Sequence, residues 1–175
     1  MMSQTQVSWI LKLAGVAAVT LALGPAPISA GSNADVRERP YGGSCNAAVT
    51  QLTEPGVFPE VLQVDLDCLL KHLGRATGEG TTTVVPAGAP VGSTLPIVLT
   101  SETTYEAANG DLLYQTFSGT GTVNTETLDV EFEGMEILAG GTGRFVDAVG
   151  FAHTVGSASF VTNTGFLTTE GRLAY

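Results

Sequence analysis

From Tyr41 to Tyr175 the chain gives a helix no room. Glycine, proline and asparagine interrupt it at roughly the 8–12-residue spacing of a sandwich or barrel. Between the interruptions, β-branched and aromatic residues alternate with polar ones, and no window sustains a 3.6-residue apolar period. The pattern predicts strands near 41–52, 61–70, 76–85, 95–105, 112–122, 127–138, 150–161 and 165–174. The turns are explicit. Ala108-Asn109-Gly110-Asp111 carries the Asn-Gly pair of a type I′ hairpin, whose central residues both need positive φ. Gly74 turns the second strand into the third, and Asn163-Thr164-Gly165 joins the last pair. Pro55, Gly56 and Pro59 mark the first connection, and Pro86 to Pro90 the third.

Alternation assigns the faces. In Leu128-Asp129-Val130-Glu131-Phe132-Glu133 the apolar residues share one side and the acids the other. After Gly134 the phase flips, which predicts a bulge there. Ile97, Leu99, Val130, Phe132, Phe151, Val155 and Phe160 are assigned inward. Consecutive hairpins point to an all-β protein, an eight-stranded antiparallel up-and-down barrel with no free sheet edge. Such a barrel is filled by side chains or holds one small ligand. Ala152, Gly156, Ala158 and Gly171 are small and leave volume where they face inward. The expectation is an apolar cavity open near one barrel end, rimmed by Tyr105, Tyr114 or His153.

The first thirty residues are read as a signal peptide. Lys12 is their only positive charge, and Leu13 to Leu23 is an apolar run of eleven with one Thr. That is well short of the ~20 residues that span a bilayer. Gly24, Pro25 and Pro27 break it, and a small residue, Ala30, precedes the expected cleavage site. The organisation is therefore 1–30 signal peptide, 31–38 flexible tail, and 39–175 barrel domain, in a secreted or periplasmic protein with no membrane contact after cleavage. In that setting the only two cysteines, Cys45 and Cys68, are expected as a disulfide rather than two buried thiols.

Charge narrows the partners. Seventeen acidic residues stand against seven basic ones, a net charge of −10. A field of that sign repels phosphate backbones and anionic lipid, so nucleic acid and membrane surfaces are not expected partners. Two cysteines and two distant histidines give no zinc spacing, so no metal is assigned. Asp65 with Asp67, and Glu131 with Glu133, lack an ordered Ca²⁺ loop and read as solvated faces. Glu102, among threonines, reads likewise, and His72 reads as a turn residue. No phosphate loop, dinucleotide fingerprint or hydrolase elbow occurs, and no cofactor is implied. The candidate ligand-binding residues are Tyr105, Tyr114, His153, Phe132 and Phe151. His153 could act as an acid or base near neutrality, and the tyrosines combine an apolar body with a hydroxyl.

Three stretches carry a resemblance. They are His72-Leu73-Gly74-Arg75 leading into Thr77-Gly78-Glu79-Gly80-Thr81, then Ala107-Ala108-Asn109-Gly110-Asp111, then Gly140-Gly141-Thr142-Gly143-Arg144-Phe145 followed by Ala148 and Gly150. Together they resemble the allene oxide cyclase-like barrel superfamily, which includes plant dirigent proteins and secreted bacterial proteins. The resemblance runs from about Tyr41 to Tyr175 and implies an eight-stranded barrel with an apolar lumen. It also implies that Phe145 can plug a barrel end. Relatives use the lumen to fold a reactive hydrophobic intermediate into one stereochemical outcome, mostly by shape. Plant cyclases place a Glu and an Asn on the first strand; here Asn46 has no Glu beside it, and the acids of dirigent proteins have no counterpart. No catalytic residue carries over.

Three functions follow as expectations: a secreted barrel binding a small hydrophobic molecule, a cyclase or isomerase acting by shape, and a non-catalytic barrel with a filled interior. Self-association is left open.

Overall fold

A computed structural model describes residues 37–175. The expected signal peptide, and all but the last two residues of the expected tail, lie outside the described residues. Eight strands follow one another: β1 (Glu38–Gln51), β2 (Glu60–Leu70), β3 (Gly74–Pro86), β4 (Thr94–Glu106), β5 (Leu112–Asn124), β6 (Asp129–Gly141), β7 (Val149–Ser159) and β8 (Thr164–Ala174). Each pairs antiparallel with the next, and β1 also pairs with β8, from Glu38 opposite Ala174 to Ala48 opposite Thr164. The barrel is closed, so no strand leaves an unpaired edge.

The Asn-Gly turn is a hairpin of a different type from the one expected. Within it only Gly110 has positive φ, +85°. The Gly110 amide donates to the Ala107 carbonyl (2.8 Å) and the Ala107 amide to the Asp111 carbonyl (2.9 Å). This is a type I turn followed by a left-handed glycine. Asn109 contributes its side chain instead, donating from Nδ2 to Asp111 Oδ2 at 2.7 Å.

The expected bulge at Gly134 is absent. Register between β5 and β6 is continuous from Val123–Val130 to Gln115–Leu138, and the irregularity falls between Leu113 and Gln115. The two-residue period runs straight through Gly134, so Val130, Phe132, Glu136 and Leu138 share the inner face, with Met135 and Ile137 outside. Gly134 serves packing: a Cβ there would lie 2.7 Å from Cζ of Phe117.

β7 reverses the faces assigned to it. Phe151 and Val155 point out, 48% and 42% exposed, and His153 shares their side. Ala152 and Thr154 point in and are buried. The cause lies on β6. Phe132 already occupies the interior opposite β7, and a Cβ at Gly156 would sit 2.5 Å from its Cζ. The strand therefore turns its small residues inward. The other inward assignments hold: Ile97, Leu99 and Val130 are buried, and Phe132 and Phe160 pack against them.

Two clusters fill the barrel. One, with Tyr41, Leu70, Leu113, Leu138, Phe145 and Leu173, occupies the half toward the β4–β5 and β6–β7 connections. Phe145, on a single 3-10 turn at Gly143–Phe145, is fully buried and plugs that end. Arg144 lies 4.7 Å over its ring, donates to the His72 carbonyl at 2.9 Å and pairs with Asp111 at 3.6 Å. Cys45 and Cys68, cross-strand partners on β1 and β2, form the expected disulfide in this half. The second cluster, with Val49, Leu62, Val84, Ile97, Leu99, Phe117 and Val130, lines the other half. Among the described residues, no helix is long and apolar enough to cross a membrane.

Candidate functional site

The lumen keeps a cavity of about 100 Å³ on the side away from the Phe145 plug. Its walls are apolar: Leu62, Val84, Ile97, Leu99, Phe117, Val130 and Phe132, drawn from β2 to β6. Its floor is polar, formed by Tyr105, Gln115, Glu136 and Thr154 where the cavity meets the plugged half. The inward-facing Val64, Ala158 and Leu167 stay partly exposed along its length. Ligand pockets typically measure about 300–1,000 Å³, so this volume suits one small ring or a few waters. The small residues of β7 leave less room than their sizes suggest, because Phe132 takes it.

Glu136 is the chemical centre of this floor. It is 2% exposed, and its Oε1 accepts a hydrogen bond from Thr154 Oγ1 at 2.5 Å. Oε2 is buried without a partner, as is Oε1 of the adjacent Gln115. Burial pushes the Glu136 carboxyl above the usual carboxylate range, because its charged form loses water with no cation in exchange. The hydroxyls of Thr154 and of Thr169, the latter nearby but with no hydrogen-bond partner, pull the other way. Tyr41 and Tyr105 are buried close by and are raised well above the ordinary phenol, chiefly by burial. Their phenols stay neutral, which keeps negative charge out of the layer.

The residues singled out from the sequence separate. Tyr105 and Phe132 line the cavity, Tyr105 at its floor rather than its rim. Tyr114 is 42% exposed on the outer face of β5. It borders a shallow external groove of about 530 Å³ with Glu79 and Glu102, which is wider than the lumen but open to solvent. His153 lies outside, its Nε2 3.8 Å from Glu133. Phe151 is outside beside Ile137. Tyr114 on β5 and His153 and Phe151 on β7, expected at the lumen, all face outward; on β7 the reading failed because both faces of the strand are apolar enough to read as interior. Asp67 is solvated and pairs with Arg75 at 3.0 Å.

Glu136, Gln115 and Thr154 were missed. The available signal was the period of β6: continued without a break through Gly134, it places Glu136 on the same face as Phe132. No family model, curated protein or solved structure matches the chain.

Proposed function

We propose that this barrel is a secreted or periplasmic protein that binds a small hydrophobic molecule in its lumen. The observation that carries this reading is the pairing of an apolar cavity with a polar floor at its blind end, the general form of a small-molecule site. The volume limits the enclosed part of a ligand to about a single ring. The disulfide supports export to an oxidising compartment. Kinship with the allene oxide cyclase-like barrels is part of the proposal. It draws support from closed eight-strand topology and from Phe145, the last residue of the Gly140–Phe145 segment, sealing one end.

One observation favours a second reading, a cyclase or isomerase. Glu136 is an ionisable group inside the cavity, and an enzyme acting on a bound intermediate needs such a group where a simple carrier does not. Native mass spectrometry of protein purified from its source tests the binding reading. A retained small molecule, lost on unfolding, is the expected result. Bare protein under conditions that keep the fold, joined by failure of small apolar compounds to bind, would leave the filled non-catalytic barrel.

A further inference from the structure

Among the described residues four buried side-chain polar atoms lack a hydrogen bond, Tyr41 Oη, Thr169 Oγ1, Glu136 Oε2 and Gln115 Oε1, and the last two belong to residues that line the lumen floor. Both side chains are buried, at 2% and 5% exposure, and both line the cavity. They stand on neighbouring strands: Gln115 faces Leu138 across the β5–β6 pair, and Glu136 lies two positions along on the same inner face. Side chains at such diagonal positions reach one another's surroundings. A buried polar atom left unpaired costs about 1–3 kcal/mol, and this barrel carries two of them at the end of an otherwise apolar hole.

We propose that this pair is a recognition site for an uncharged hydroxyl, so that the lumen takes small cyclic or branched alcohols in preference to hydrocarbons or carboxylates of the same shape. The proposal rests on the lumen-binding reading. A hydroxyl is one donor and one acceptor on a single atom. Its oxygen accepts from the Glu136 carboxyl in its neutral form, and its hydrogen goes to Gln115 Oε1. Thr154 already occupies the other Glu136 oxygen, and Oε2, with the Thr169 hydroxyl beside the carboxyl but outside hydrogen-bond geometry, is the end left to a ligand. The remaining ionisable groups of the layer, Tyr41 and Tyr105, are neutral phenols, and among the described residues no Lys, Arg or His lines the cavity to hold an anionic head. A hydrocarbon would fill the apolar walls but leave both orphans in place. A carboxylate would bring a second acid against Glu136.

The experiment uses cyclohexanol and its near-isostere methylcyclohexane, with cyclohexanecarboxylate as the third arm, each titrated into the protein and followed by NMR shifts of lumen methyl groups. The expected result is that cyclohexanol binds about tenfold tighter than methylcyclohexane, the size of effect two recovered hydrogen bonds give, and that the carboxylate does not bind. Glu136→Leu should reverse the order of alcohol and hydrocarbon, whereas Glu136→Gln, which keeps a donor, should retain the preference. Gln115→Leu provides an independent arm and should weaken the alcohol while sparing the hydrocarbon. Methylcyclohexane binding as well as or better than cyclohexanol in the unmodified protein would overturn the hydroxyl site while leaving lumen binding intact, with water as the partner of both orphans. Alcohol preference surviving both Leu substitutions would overturn it too. Binding of neither neutral compound would remove the lumen reading itself.

Discussion

At the scale of single residues, Glu136 sets the chemistry and makes it measurable. Its carboxyl titrates above the ordinary range because burial among Tyr41, Tyr105, Gln115, Thr154 and Thr169 offers no compensating cation. Between the unfolded and the folded pKa, the folded protein holds a proton that the unfolded chain has already released. Stability from this group is fully present below the unfolded pKa and is lost as pH rises through the folded one. Glu136→Gln should flatten that decline, so that denaturant midpoints measured across the acid-to-neutral range converge on a pH-independent contribution. An unchanged slope would mean that the carboxyl is hydrated. The outward side chains should matter far less. His153→Ala removes an exposed contact to Glu133 at 3.8 Å and should change stability by no more than about 0.5 kcal/mol. Residue roles were the least legible part of the sequence. A glutamate flanked by Met135 and Ile137 looks like the polar side of an amphipathic strand, and only the uninterrupted period through Gly134 reverses that reading.

At the scale of elements, strand positions were legible because turn chemistry is local. The Asn109-Gly110 pair and Asn163 fall in the connections expected of them, Gly74 opens β3 with positive φ at the expected turn, and the strand limits differ from expectation by a few residues. The facing of β7 was not legible, because it depends on what β6 places opposite. Val149, Phe151 and Val155 are larger than Ala152, Gly156 and Ala158, yet the larger set faces solvent since Phe132 fills the interior. The disulfide ties β1 to β2 across 23 positions. Replacing Cys45 and Cys68 together by alanine should cost about 3 kcal/mol by the chain-entropy estimate, read from equilibrium unfolding of the oxidised parent and the variant. Loss of the Phe145 plug should cost more: Phe145→Ala empties a fully buried aromatic site, worth about 3–5 kcal/mol. A change below about 1 kcal/mol would show that the 3-10 turn does not anchor that end.

At the scale of the whole molecule, the barrel is two unequal halves. One is sealed by Phe145, Tyr41 and Leu173 and stapled by the disulfide; the other keeps a small hole with apolar walls. The architecture was legible from the regular punctuation, and the existence of a cavity from the abundance of small residues. Its modest size was not, because volume is set by the rings of Phe132 and Phe117, which enter the slots that Gly134 and Gly156 leave. The central claim is that this hole is a binding site. The most direct test is a titration of methyl-labelled protein with benzene, a probe of the size such cavities admit. Saturable shifts confined to Leu62, Val84, Ile97 and Leu99, absent from the outward Leu69 and Val146, and abolished by Ala158→Phe in a variant that keeps its fold, are the expected result. Shifts that never saturate, or that persist unchanged when Ala158→Phe fills the lumen, would contradict it.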